Sequence, residues 1–96
     1  MDNYKQNNKK LLIKAIKSNN ILKNRDYTLL TFLNAYLSFE EYKEIKKKSI
    51  VEALGNIDKS EITKSLNRLI EAGLIIEGDR DEDILAIGYR LYKEEL

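Results

Sequence analysis

Apolar residues recur along the chain at helical spacing first and at strand spacing later. Residues 8–18 contain one apolar stripe at helical spacing, so this segment is predicted to form an amphipathic helix. The stripe consists of Leu11, Leu12, Ala15 and Ile16. A second helix is expected from Asp26, a suitable N-cap residue, to about Leu37. This helix is apolar almost all round, which places it in the middle of the core.

Residues 38–45 allow two interpretations. Ser38 and Glu41 have the spacing of a capping box, which would open a short helix through Ile45. The same residues could instead be a connection that carries a short strand around residues 42–45. The pattern alone leaves both open.

Two further helices are predicted in residues 49–73. Ser49 is expected to cap a short helix over residues 50–54, which Gly55 and Asn56 end. Asp58, with Glu61 three residues later, has capping-box spacing and should open a longer helix. That helix runs to Ala72, and Gly73 ends it as a C-cap glycine.

A β-hairpin is predicted after these helices. Residues 74–76 and 84–87 are β-prone runs, and the polar residues 78–83 between them form the expected turn. Residues 89–92 either extend the second strand or begin a short final helix.

The order of short helix, turn, longer helix and hairpin resembles the winged helix-turn-helix families of small bacterial, plasmid and phage DNA-binding proteins. MarR-type regulators and the winged-helix domains of plasmid replication or partition proteins are examples. The segments that carry the resemblance are residues 49–55, 59–66 and 69–75. It implies a mainly α fold with a small β-hairpin and an extra N-terminal helix. The 1–96 chain would be a single domain, with a basic N-terminal helix in 1–25, a helical core in 26–73, the helix-turn-helix in 49–72 and the wing in 74–92.

Two features depart from the family pattern. Asn56 adds one residue to the usual turn between the two helices of the motif. The wing is strongly acidic, with Arg80 as its one basic residue between Gly78 and Asp83, whereas wings that contact DNA are usually basic. Arg80 either reaches the minor groove, oriented by a neighbouring Asp as in some MarR-type wings, or lies in a solvated turn.

The longer helix of the motif is the predicted recognition helix. Ile62, Leu66, Leu69 and Ile70 form its expected buried stripe, and polar residues cover the other side. Asn suits adenine, Lys and Arg suit guanine or phosphate, and Ser and Thr suit either. An ordinary solvated helix face would show the same residue types, so the order of elements decides for DNA. The DNA-binding candidates are Lys46, Lys47, Lys48, Ser49, Lys59, Ser60, Thr63, Lys64, Asn67, Arg68 and Arg80.

Charge is unevenly distributed although the formal net charge is only +1. Residues 1–25 contain seven basic residues and one acidic residue, whereas residues 76–96 contain three basic and seven acidic residues. A polyanion would therefore meet the protein in a preferred orientation.

Composition narrows the chemistry. The 96 residues include no Cys and no His, so the chain has no disulfide, no thiolate zinc site and no imidazole base. We therefore expect neither an enzyme nor a cofactor or metal site. An acidic cluster at residues 79–83 lacks the pattern of an EF-hand loop. No apolar run reaches the length of a membrane span, and a cytoplasmic protein is expected.

Two kinds of partner follow from these patterns. The first is double-stranded DNA, bound by a homodimer that acts as a transcriptional regulator or as an adaptor in plasmid or phage replication or segregation. The expected dimer contacts are Leu11, Leu12, Ala15 and Ile16. The alternative is a winged-helix module that binds another protein and no DNA, which the near-neutral charge and the acidic hairpin favour.

Overall fold

A computed structural model describes residues 3–55, 57–78 and 88–93 of the chain, with side chains from residue 5 onward. This part of the protein is mainly helical and carries a small antiparallel sheet. Its elements are α1 (Asn3–Lys17), α2 (Asn24–Tyr36), β1 (Lys43–Glu44), α3 (Lys47–Leu54), α4 (Lys59–Glu71), β2 (Ile75–Glu77) and β3 (Gly88–Leu91). The predicted α+β class is thus confirmed at this level.

Helix α1 begins five residues before the predicted start at residue 8. Because the first turns of α1 are polar, the spacing of apolar residues could not indicate where the helix begins. Leu11 and Ala15 are buried in the core, whereas Leu12 and Ile16 face solvent. Several polar contacts hold α1 in place. The Tyr27 hydroxyl donates to the Ala15 carbonyl over 3.2 Å, Asn34 Nδ2 donates to Asn8 Oδ1 over 2.6 Å, and Lys14 Nζ lies 4.7 Å from the centre of the Tyr92 ring.

Helix α2 begins at Asn24, two residues before Asp26, so the prediction that Asp26 is its N-cap is wrong. Lys23 takes the N-cap position, and its backbone N–H donates to Asp26 Oδ2 over 2.9 Å. Asp26 is therefore the acidic residue of a capping interaction at the third helical position. The core side of α2 is Leu29, Leu30 and Leu33. The expectation of burial all round holds only in part, since Ala35 and Tyr36 are exposed.

The segment before α3 forms a strand, which settles the two interpretations of residues 38–45. The Ser38 hydroxyl accepts hydrogen bonds from the N–H groups of Glu40 and Glu41, but the resulting turn does not continue as a helix. β1 then pairs with β3, with Lys43 opposite Tyr89.

Helix α3 begins at Lys47, with Lys46 as its N-cap. Ser49 lies inside its first turn, so the prediction that Ser49 is the cap is wrong. The predicted end at Leu54 is confirmed: Gly55 adopts φ +84°, in the left-handed region that glycine tolerates best, and its N–H donates to the Val51 carbonyl. Asn56, the predicted extra turn residue, lies outside the described residues.

Helix α4 has Asp58 at its N-cap as predicted, although the Asp58 side chain makes no capping hydrogen bond. Gly73 ends it with φ +77°. The Gly73 N–H donates to the Ile70 carbonyl and the Leu74 N–H donates to the Leu69 carbonyl, both over 2.9 Å. These two bonds are the pair that defines a Schellman motif.

The described strands form an antiparallel sheet in the order β1-β3-β2. β2 and β3 pair from Ile75 opposite Leu91 to Glu77 opposite Tyr89, so the antiparallel partner of this strand is residues 89–91 and not the predicted residues 84–87. The paired strand is Gly88–Leu91, which agrees with strand rather than helix for residues 89–91. Residues 84–87 and the tip of the predicted turn, including Arg80, lie outside the described residues.

The core lies where α2, α3 and α4 meet each other and β2. Its fully buried side chains are mostly Leu and Ile, and they come from every described helix and from both strands of the β2–β3 pair. They include Leu11, Leu29, Leu33, Ile50, Ile62, Leu69, Leu74, Ile75 and Leu91. Among the described residues, no helix is both long and apolar enough to cross a bilayer.

Candidate nucleic-acid interface

Helix α4 has a buried side and an opposite side that faces solvent. Ile62, Ser65, Leu66 and Leu69 are buried, whereas the predicted Ile70 is only partly so. The side chains on the solvent side come from successive turns of the helix and share one face. They are Ser60, Lys64, Asn67 and Glu71, and we call them the α4 outer face. Three of the predicted DNA contacts thus share one surface.

Two more candidates flank the α4 outer face. Lys59 is exposed at the first helical position. Thr63 is half-buried, and its hydroxyl donates to the Lys59 carbonyl over 3.1 Å. Thr63 is therefore left with its hydroxyl oxygen as an acceptor and its methyl group for any contact outside the helix.

Arg68 does not belong to this surface, which corrects its place among the DNA contacts. Its Nε donates to Asp26 Oδ2 over 2.6 Å, and its Nη2 donates to Asp26 Oδ1 over 2.9 Å. Nη2 also lies 3.3 Å from the Ser65 hydroxyl. The side chain is 20% exposed and its guanidinium is used inside the molecule, where it joins α4 to the start of α2.

The environment of Asp26 keeps this carboxylate charged. Burial alone favours the neutral acid and would raise the pKa of Asp26. The hydrogen bonds from Arg68, from the Lys23 backbone and from Ser65 outweigh burial and hold the pKa of Asp26 below its ordinary value. The same pair raises the pKa of Arg68.

Glu61 also behaves differently from its predicted role in a capping box. Arg25 Nη1 donates to Glu61 Oε2 over 2.6 Å, and Lys64 Nζ lies 3.5 Å from Glu61 Oε1. The hydrogen bond from Arg25 and then the charge of Lys64 lower the pKa of Glu61. Glu61 thus places a carboxylate beside the α4 outer face, shared between two cations that a polyanion would also attract.

The start of α3 is basic and uncapped. Lys46, Lys47, Lys48 and Ser49 are all exposed, and they occupy the N-cap position and the first three helical positions. The side chain of the N-cap residue Lys46 makes no capping hydrogen bond, and the first turn contains no acidic residue. The first N–H groups of a helix and its positive dipole end attract anions, so this start is suited to a phosphate group.

These two surfaces belong to one pair of packed helices, because α3 and α4 contact each other and both contact α2. Arg25 is a basic residue that the sequence interpretation missed at this site. In the sequence it stands among the basic residues 1–25, and nothing in its spacing indicates the contact with Glu61 across 36 residues.

The predicted dimer contacts divide into two groups. Leu11 is 0% exposed and Ala15 is 2% exposed, so both already belong to the core of the monomer. Their assignment to a dimer interface is therefore corrected. Leu12 and Ile16 remain exposed, at 46% and 68%.

The described residues contain no group of three or more His, Cys, Asp or Glu side chains that could hold a metal ion. Comparison with known proteins found no matching family model, no matching curated protein and no matching solved structure.

Proposed function

We propose that this protein is a winged-helix protein that binds double-stranded DNA sequence-specifically through the α4 outer face. The observation that carries the proposal is the row of Ser60, Lys64 and Asn67 on the solvent side of a helix whose other side is buried. A helix of this width enters the major groove, where side chains reach the base edges.

The order of the elements supports the winged-helix assignment. A short helix, a turn and a longer helix are followed by two antiparallel strands, and a short strand before α3 joins the same sheet. In helix-turn-helix proteins the second helix of the motif is the one that contacts bases, and here that helix is α4.

Different residues would perform different parts of binding. Asn67 is suited to adenine, through two hydrogen bonds, and Lys64 to guanine or to a phosphate. Lys46, Lys47 and Lys48 at the start of α3 would contact phosphates and fix the register without reading sequence. The bond between Arg68 and Asp26 would hold α4 at a fixed angle to α2 while it does so.

A regulator of transcription, or an adaptor in plasmid or phage replication or segregation, is the role we propose for such binding. The homodimer remains a prediction without an assigned interface, because Leu11 and Ala15 are buried and the lysines of α1 do not favour pairing of two copies through Leu12 and Ile16. Two modules would double the number of bases contacted, which a single small module needs for useful specificity.

The direct test is a mobility-shift assay on the DNA that lies upstream of the protein's own gene. The variant Lys64→Ala with Asn67→Ala should weaken binding by about tenfold or more, because each specific base contact contributes roughly 1–3 kcal/mol. The matched control is Lys9→Ala with Asn20→Ala, which removes the same residue types from exposed positions elsewhere. Equal binding by both double variants would show that α4 does not contact the site.

A protein-interaction module is the second candidate, and the carboxylates of Asp58 and Glu61 at the start of α4 favour it. The two candidates differ in their response to salt. Binding to several phosphates should weaken steeply between about 50 and 200 mM salt. If no duplex binds at the low end of this range, the protein-interaction module is the better assignment.

A further inference from the structure

Helix α1 exposes a row of large apolar side chains although its other side is buried in the core. Leu12 is 46% exposed, Ile13 is 41% exposed and Ile16 is 68% exposed. The three lie within one turn of each other, and we call them the α1 ridge. Single exposed apolar residues are normal, but a contiguous group of them marks an interaction site more often.

A groove runs along each side of the α1 ridge. On the side of α2, a largely apolar groove of about 370 Å³ is lined by residues that include Leu12, Ile16, Tyr27 and Leu30. Asn34 also lines it, and Asn34 Oδ1 has no hydrogen-bond partner among the described residues while Nδ2 donates to Asn8. This groove therefore offers apolar walls, whereas Asn34 Oδ1 is itself buried and out of reach of a partner.

The groove on the other side is basic. It measures about 330 Å³ and is lined by Lys10, Ile13, Lys14 and Lys17, with Tyr92 opposite. Lys14 lies over the Tyr92 ring, which fixes the position of its ammonium group. The α1 ridge thus separates an apolar groove from a groove with three ammonium groups.

The charge of α1 selects the chemistry of the partner. Asn3–Lys17 contains five lysines and no acidic residue. Two copies of this protein packed through their α1 helices would bring the two sets of lysines together with no carboxylate from either helix to offset them. A partner with carboxylates beside its apolar side chains would instead gain from both grooves.

We propose that the α1 ridge and its two grooves bind an acidic amphipathic helix of a partner protein. Apolar side chains one turn apart on that helix would cover Leu12 and Ile16 and enter the apolar groove, as in other helix-in-groove contacts. Its carboxylates would pair with Lys14 and Lys17. This surface includes none of the α4 outer face, so the proposal does not depend on DNA binding.

The shape of the site favours a helix over a lipid surface. An interfacial helix buries a broad apolar face in the membrane. Here Leu11 and Ala15 are used in the core, and what remains is a narrow ridge between two concave grooves. Concave grooves receive individual side chains, which a flat headgroup layer does not supply.

The test uses a synthetic, fluorescently labelled helical peptide of about 18 residues with Leu at i, i+3, i+4 and i+7 and Glu at most other positions. A second peptide carries Lys in place of every Glu. Fluorescence anisotropy should show that the full-length protein binds the Glu peptide at least about tenfold more tightly than the Lys peptide. Equal binding of the two peptides, or binding of neither, would overturn the proposal.

Two variants locate the contact. Ile16→Glu should weaken binding of the Glu peptide by about tenfold or more, which corresponds to about 1.4 kcal/mol. Ala53→Glu makes the same charge change at an exposed position of α3 and should leave peptide binding unchanged. Lys17→Glu should reduce the preference for the Glu peptide over the Lys peptide, and this ratio does not depend on the fraction of folded protein. An unchanged ratio would count against the basic groove.

Two other results would overturn the proposal, because each would assign the α1 ridge to a different partner. Sedimentation with phosphatidylcholine vesicles that contain phosphatidylserine, without binding of the Glu peptide, would assign the α1 ridge to a membrane surface. A dimer mass in analytical ultracentrifugation that falls to the monomer mass in Ile16→Glu, and that the Glu peptide does not disrupt, would assign it to a second copy of this chain.

Discussion

Asp26 joins the start of α2 to α4 through one buried carboxylate. It accepts from the Lys23 backbone at the start of α2 and from two nitrogens of Arg68 on α4, while its own side chain is 0% exposed. A buried charge without a partner is costly, so each group here depends on the other. The contact also fixes α4, the proposed recognition helix, against α2.

Asp26→Asn should lower the free energy of unfolding by roughly 3 kcal/mol at neutral pH, because it leaves Arg68 without its countercharge. Urea denaturation of both proteins measures this difference. Since the pKa of Asp26 is lowered in the folded protein, its contribution is complete above the unfolded value of about 3.9 and is lost as the pH falls through the folded value. The gap between wild type and Asp26→Asn should therefore narrow below about pH 4. A gap that stays constant down to acid pH would contradict the ion pair. Glu61→Gln, which alters an exposed pair, should change stability much less.

Sequence reasoning located Asp26 correctly as a residue of the α2 start, but it assigned the wrong position and missed the partner. A capping residue is recognised from its neighbours along the chain, whereas Arg68 lies 42 residues away. The pair of Arg25 and Glu61 was missed for the same reason, because 36 residues separate them in the chain. Long-range pairs between charged residues leave no periodic signal, because a charged residue on a helix flank is equally suited to solvent.

Among the elements, the helix ends were predicted best, because a residue with positive φ at a helix end is usually glycine. Gly55 and Gly73 both adopt positive φ at the predicted helix ends. The helix starts were less predictable: α3 begins at Lys47 without any side-chain cap, and Ser49 only resembled one. The sequence could not decide between a helix and a strand for residues 38–45. The Ser38 hydroxyl accepts the same backbone hydrogen bonds in a turn as it would at a helix start.

The turn between α3 and α4 can be tested at Gly55. A Cβ at this position would meet no atom within 4 Å, so backbone strain alone decides the effect of a substitution. Gly55→Ala should destabilise the protein by about 1 kcal/mol and lower the melting temperature by roughly 4–8 °C. Gly55→Asn should lower it less, because Asn tolerates the left-handed region better than Ala. Thermal unfolding followed by circular dichroism measures both, and equal melting temperatures for Ala and Asn would contradict the positive φ.

At the scale of the whole molecule, the described part has two surfaces with different chemistry. The α4 outer face and the start of α3 present Lys, Ser and Asn side chains, which suits a duplex. The α1 ridge presents apolar side chains with lysines on one side, which suits an acidic helix. The sequence indicated α4 through the order of the elements and α1 through its apolar stripe, but it placed Leu11 and Ala15 on the surface because one stripe of α1 had to serve the core and the partner together. The structure separates them, with Leu11 and Ala15 inward and Leu12 and Ile16 outward.

We expect the α4 outer face to contact bases in DNA. The most direct measurement is selection of binding sites from a pool of random duplexes, sequenced after several rounds with wild type and with Asn67→Ala. Wild type should enrich a defined sequence, and Asn67→Ala should lose the preference at one or two positions of it while the rest persists. Lys47→Ala should weaken binding about equally for all sequences, because it removes a phosphate contact. No enriched sequence with wild type at low salt, or an identical sequence preference in Asn67→Ala, would contradict base contact by the α4 outer face.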